Sequence, residues 1–274
     1  MFARMNFTRL FFYILITSKL ILSHSESFAT FDSSGRLSQV EMAFKAVENF
    51  GGTVIAAQCS DAAILVTWSV MNDRFIVPSS KFRKLGESIG FCASGISADA
   101  NYIANEMFQE SLKHRNLFGS EPVPGRLSKF VADFMHDNTL SSRMRPLAIK
   151  CLIAGVQSNR PVIHEIDPMG NLKKCSLTTI GLHSKQIRSK WDESLDPSNF
   201  KASELLKKCL QCLEAGIVEE DACEKKKEKI NSRSIQIAVV GPNIPFREIS
   251  SDAITQVVDH DDYTYFEKEI SKQN

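Results

Sequence analysis

From Thr53 onward the hydrophobic period of the chain changes in a definite order. Thr53 to Gln58 and Ala62 to Trp68 are compact apolar runs separated by the turn-forming Cys59-Ser60-Asp61, the pattern of a β-hairpin. A third run, Ile89 to Ala93, ends at Ser94-Gly95. The period then lengthens. Ala100, Ile103, Ala104, Met107, Phe108 and Leu112 recur at helical spacing, with Asn101, Asn105, Gln109 and Lys113 on the opposite face. Past Pro122 and Pro124 the same signature returns in Leu127, Phe130, Val131, Phe134 and Met135, which predicts a second helix.

Strand character resumes at Ala148 to Val156. Val162 to Ile166 follows the polar Ser158-Asn159-Arg160-Pro161 turn, and a further strand falls near Leu177 to Ile180. Ile187 and Trp191 mark a third helix, and Leu205, Leu206, Cys209, Leu210 and Leu213 a fourth, ending before Gly216. The charged stretch Glu219 to Arg233 reads as a solvated insertion, and Ile235 to Val240 as a last strong strand. Strands, two helices, strands, two helices: this order suits two antiparallel sheets packed face to face with helices outside. The expectation is an α+β, four-layer αββα sandwich forming one domain over residues 28–274.

Residues 1–27 stand apart. Arg4 and Arg9 precede the apolar run Leu10 to Ile16, which continues after Thr17, Ser18 and Lys19 as Leu20, Ile21 and Leu22, with small Ser23, Ser25 and Ser27 beyond. That is the order of parts in a signal peptide. A membrane span needs roughly 20 apolar residues, more than this run supplies, so no membrane partner is expected.

Composition narrows the function classes. Lys plus Arg number 33 against 32 Asp plus Glu, a net charge of +1, which leaves no long-range field for a phosphate backbone and excludes nucleic-acid binding driven by counterion release. The seven cysteines (59, 92, 151, 175, 209, 212 and 223) are scattered through core-like segments and read as reduced thiols, not as a disulfide framework. Cys209 and Cys212 have ligand spacing but sit inside a leucine pattern with no second pair. The six histidines form no H-E-x-x-H or similar cluster. No metal, no cofactor and no phosphate-cradling glycine loop are expected.

One segment says more. Gly35-Arg-Leu-Ser-Gln-Val-Glu-Met-Ala-Phe-Lys-Ala-Val47 is an amphipathic helix by spacing, with Leu37, Val40, Phe44 and Val47 on one face and Arg36, Gln39, Glu41 and Lys45 on the other. Its order resembles the first helix of proteasome α subunits, G-R-L-x-Q-V-E-Y-A-x-x-A-V. Gly35, Arg36, Leu37, Gln39, Val40, Glu41, Ala43 and Val47 hold their columns, and Met42 replaces the tyrosine. Ser94-Gly95-Ile96-Ser97-Ala98-Asp99-Ala100, Arg145-Pro146 with Leu152-Ile153-Ala154-Gly155, Asp167-Pro168-Met169-Gly170 and Ile180-Gly181 resemble further segments of these subunits in the same order. Pro122 to Leu127 and Ile237 to Gly241 lean toward the type-1 α subunit.

The resemblance implies the N-terminal nucleophile hydrolase-like sandwich with an extra N-terminal helix. It implies a noncatalytic α-ring subunit of the 20S core, assembled with other α and β subunits in stacked seven-membered rings, in cytoplasm and nucleus. It also implies that Lys81, in the lysine column fourteen residues before Gly95, pairs with the C-terminal carboxylate of regulatory-particle ATPase tails or other activators, with Gly95 as pocket backbone. The residues themselves also allow Lys81 to be a solvated member of Lys81-Phe82-Arg83-Lys84. Sister β subunits are threonine peptidases, so Gly52-Thr53 is weighed as a cleavage point. Ser69 sixteen residues on offers no carboxylate, and the first helix would be lost on cleavage. The departures lie at the N-terminus: His24-Ser25-Glu26 and Phe31-Asp32-Ser33-Ser34 stand where family members carry Y-D-R and F-S-P-x-G. This leaves a divergent subunit, a wrong start or mistranslated intron before Phe28, or a secreted protein of the same fold as alternatives.

Overall fold

A computed structural model of the chain describes residues 30–69, 75, 79–141, 144–220 and 231–271. The hydrophobic leader, the His24-Ser25-Glu26 columns, Cys223 and residues 221–230 of the charged stretch lie outside the described residues.

Among the described residues ten strands form two five-stranded antiparallel sheets. The first is ordered β10-β9-β2-β1-β8, from Ile244–Glu248 (β10), Ile235–Gly241 (β9), Ala63–Trp68 (β2), Thr53–Gln58 (β1) and Leu177–Ile180 (β8). The second is β3-β4-β5-β6-β7, from Phe82–Gly86, Ile89–Gly95, Ile149–Gln157, Arg160–Ile166 and Leu172–Cys175. The β5–β6 turn is tighter than the four polar residues suggest. Gln157 pairs with Arg160, and Ser158 and Asn159 carry φ of 51° and 58°, as a two-residue type I′ hairpin requires. Arg160 and Pro161 therefore belong to β6.

Alternation of side chains across each strand builds three cores. Val54, Ala56, Leu65, Cys92, Leu152, Ile163 and Ala238 fill the space between the sheets. The opposite faces of β1, β2 and β9 (Ile55, Ile64, Val66, Ile237) meet Leu205, Leu206 and Cys209 of the helix Ala202–Glu220 (α5) and Ile254 and Val257 of Ser251–His260 (α6). Phe266 of Thr264–Ser271 (α7) closes that layer. On the other side Phe91, Cys151 and Ile153 pack under Ser97–Phe118 (α2) and Pro124–Leu140 (α3), where Pro124 occupies the first turn and so loses no helical hydrogen bond. The four-layer sandwich is the expected one, helix, sheet, sheet, helix.

The differences lie at the edges. β3, β7 and β10 are edge strands with polar residues on both faces, which breaks the apolar runs by which a strand is recognised. The third helix is only Ser184–Ser189 (α4); Trp191 lies past its end, its indole N–H donating to the Leu195 carbonyl at 3.1 Å. Glu219 and Glu220, expected in the solvated insertion, continue α5. The first helix (α1) runs Ser38–Phe50, starting two residues later than Arg36 and reaching one turn past Val47. It buries Val40, Ala43 and Val47 against β4 and β5 across one end of the sandwich.

Candidate functional site

At that end three segments distant in sequence converge on Lys81. Gln236 of β9 accepts from the Lys81 backbone N–H at 3.1 Å and donates its amide to the Ser79 carbonyl at 3.2 Å, fixing the residues that lead into β3. The Ser80 hydroxyl donates to Glu248 of β10 at 2.7 Å and accepts the Phe82 N–H. Phe82 is buried between the sheets, so the chain direction is pinned on both sides of Lys81.

The ammonium points inward. A Cβ on Gly52 would lie 1.9 Å from Lys81 Nζ, so only glycine leaves room for the lysine tip there. Gly52 in turn is held by the Ser94 hydroxyl, which donates to its carbonyl at 2.7 Å, and Gly51 by its carbonyl accepting from Leu182 N–H at 3.2 Å. Lys81 is half-buried. Among the described residues no hydrogen-bond or ion-pair partner meets its ammonium, and burial lowers its proton affinity below that of an ordinary lysine. Cys92 is itself pushed up to about 12 by burial, so it stays a thiol and supplies no counter-charge at neutral pH. An uncompensated ammonium, half out of water, is a site built for an anion.

A small cavity of about 120 Å³ opens in front of it. Gly52, Lys81 and Gly95 line it together with Phe50 from the end of α1, Arg83 and Asn101. Arg83 is braced by the carbonyls of Ser80 and Phe82 and by Asn101 Oδ1 at 3.1 Å. Gly95 has φ of +126° and a Cβ there would come within 2.1 Å of the Ala148 carbonyl, so the close backbone crossing of β4 and β5 at the cavity floor demands glycine. Below it Asp99 accepts both Arg145 terminal nitrogens, at 2.6 and 2.7 Å, and the Ala148 N–H at 3.0 Å. That bidentate clamp holds the start of α2 to the strand beneath the site.

The structure thus brings Lys81 and Gly95 to one cavity, lined also by Gly52 and Arg83, with Gln236 bonded to the Lys81 backbone. Gly52, Arg83 and Gln236 have no local sequence signal beyond Gly-Gly before a strand. Lys81 is half-buried, whereas its neighbours Arg83 and Lys84 are exposed. The first-helix residues sit beside the cavity without lining it. Gly35 and Arg36 precede the helix; Arg36 forks onto Glu41 at 2.7 and 2.8 Å, while Leu37 and Gln39 are half-buried. Met42, in the tyrosine column, is 60% exposed.

Thr53 occupies the first position of β1, fully buried, opposite Trp68, and its hydroxyl donates to the Leu182 carbonyl at 2.6 Å. Cys209 and Cys212 lie in the α5 core with Cys59, their thiols pushed up by burial. The six described cysteines are free, and among the described residues there is no metal-ligating cluster.

Known proteins share this sequence along most of its length. The profile of the family described as "Proteasome subunit" matches residues 48–233. A proteasome subunit alpha of Methanosphaerula palustris is 27% identical over 241 residues, covering 87% of this chain and 95% of that one. A proteasome subunit alpha type-1 of Dictyostelium discoideum is 27% identical, covering 82% and 89%. A proteasome subunit alpha type-6 of Saccharomyces cerevisiae is 24% identical, covering 84% and 95%.

Proposed function

The chain belongs to the proteasome subunit family, and from that premise we propose that it is a noncatalytic α-type subunit of the 20S core. In this reading it works in cytoplasm and nucleus, assembles with other α and β subunits, and offers the Lys81 cavity to the C-terminal carboxylate of an activator. The relatives that match nearly end to end are named as α subunits.

The observation that carries the noncatalytic reading is the position of Thr53. It follows α1, whose Val40, Ala43 and Val47 are buried against β4 and β5. Cleavage before Thr53 would detach that helix and strip its apolar partners. The Thr53 hydroxyl is already committed to the Leu182 carbonyl, and among the described residues the lysine beside Gly52 has no carboxylate with it to make a proton relay. A cation without an orienting acid suits capture of a carboxylate better than activation of a hydroxyl.

In capture, the incoming carboxylate supplies the missing counter-charge to Lys81, and the half-buried setting makes that pair stronger than one in open water. Arg83 at the rim steers the anion, and Phe50 at the end of α1 contacts the side chains of the tail next to that carboxylate. Occupancy would therefore bear on the C-terminal end of α1 and, through it, on the chain before Gly35.

Native mass spectrometry tests the assignment. Co-migration with other proteasome subunits, with peptides that begin upstream of Gly35, is the expected result. A mature chain that begins at Thr53 would replace this reading by a threonine peptidase of the same fold, and a free chain beginning near Ser23 to Ser27 by a secreted protein.

A further inference from the structure

We propose that Lys81 is also where this docking position is switched off, by acyl transfer to its ε-amine from a small acyl phosphate or acyl thioester. The proposal rests on the docking reading above and adds its regulation.

Five other lysines of the described residues are tied to carboxylates: Lys84 to Glu87, Lys129 to Asp133, Lys150 to Glu165, Lys185 to Glu48 and Lys207 to Asp261. Lys81 instead rests over Gly52 with no counter-ion among the described residues, its tip held in place by shape. An amine attacks only when neutral. Partial burial without a compensating acid enlarges the neutral share, and such lysines serve as nucleophiles. Cys92 on β4 is the titratable group beside it; Arg83 of β3 lines the same cavity, and Glu248 on β10 accepts from its chain neighbour Ser80. None accepts a proton from Lys81 in a bond.

The cavity in front is about 120 Å³, room for a two-carbon acyl group. Arg83 lines the same cavity and presents a cation to the phosphate of a donor. In the reaction the amine nitrogen forms a bond to the acyl carbon, and the carbon–oxygen bond to phosphate, or the carbon–sulfur bond of a thioester, breaks. The leaving group departs with the electron pair, and the nitrogen loses its proton to solvent. The product is a neutral amide that fills the cavity and has no charge left for a carboxylate.

The test uses the native protein as purified, incubated with isotopically labelled acetyl phosphate at neutral pH, with time-resolved peptide mass spectrometry of every lysine. Acetylation of Lys81 severalfold faster than of the exposed Lys45 and Lys129 is expected, falling to their rate in Gly52→Ala, where the tip is pushed out of its berth. A Lys81 rate equal to or below theirs overturns the proposal. Docking is read separately, by binding of a short synthetic peptide copied from an activator C-terminus to wild type, acetylated protein, Lys81→Arg and Lys81→Gln. Loss of binding on acetylation and in Lys81→Gln is expected. If Lys81→Gln loses binding while Lys81 is not acetylated preferentially, docking stands and the switch falls. If Lys81 is acetylated rapidly but binding is unchanged, the docking reading falls and takes the switch with it.

Discussion

The middle of the sandwich and its Lys81 end are built on opposite rules. Between the sheets Val54, Ala56, Leu65, Leu152, Ala154 and Ile163 are all fully buried, and each side chain is held by its neighbours. At the end the decisive positions are Gly52 and Gly95, defined by what they leave out, and the side chain admitted over Gly52 is a lysine without a partner among the described residues. The middle spends its residues on stability. The end keeps an unfavourable charge, and that unmet demand is what a ligand can satisfy. Function sits where packing was left incomplete.

The contrast can be broken in order of expected effect. Leu152→Ala, at the centre of the inter-sheet core, should cost about 2–5 kcal/mol, seen as a lowered midpoint in denaturant unfolding of the subunit. Gly95→Ala should cost about 1–3 kcal/mol, because the added Cβ meets backbone that cannot swing away at a φ of +126°. Gly52→Ala clashes hardest with the flexible tip of Lys81, with the Trp68 carbonyl at 3.1 Å and the Ser69 hydroxyl at 3.2 Å yielding only slightly, so it should cost less than Gly95→Ala, about 1 kcal/mol, while abolishing binding of an activator-tail peptide. Equal losses of stability at Gly52 and Gly95 would erase the distinction between a berth and a floor.

Lys81→Ala should leave thermal stability unchanged or slightly higher, since a desolvated charge is removed, and should weaken activator docking without preventing ring assembly. Unchanged docking would remove the pocket role. The smallest effect is in pH. Because the folded protein holds the Lys81 proton less tightly than an ordinary lysine, its cation is lost at lower pH than an exposed lysine's. Peptide affinity should therefore start to fall on the alkaline side earlier than in Lys81→Arg. The same group should add stability as pH rises from its folded value toward the usual lysine value near 10.4, because the unfolded chain binds more protons in that window.

How much of this was legible varies by element. The central strands β1, β2, β4, β5, β6 and β9 announce themselves as apolar runs because both of their faces are covered. Three of the four edge strands do not, and Phe82-Arg83-Lys84 reads as a charge run until its pairing with β4 is seen. The C-terminal helices were within reach: Ser250 caps the turn before Ala253, Ile254 and Val257, which recur at helical spacing. At the site, the spacing of Lys81 and Gly95 is visible only through the resemblance to α subunits. Gln236 lies 155 residues from Lys81 and carries no motif.

The order of layers and the faces of the helices follow from local periodicity, because a side chain's burial is set by its place on its own strand or helix. So does membership of the family, which the linear motifs already carry. Three-dimensional convergence alone decided that the Lys81 tip lies over Gly52, half out of water and without a counter-ion among the described residues. That state depends on α1, β3, β4 and β9 meeting at one end of the sandwich, and the distances between groups brought together from remote parts of a chain are written in no single stretch of it.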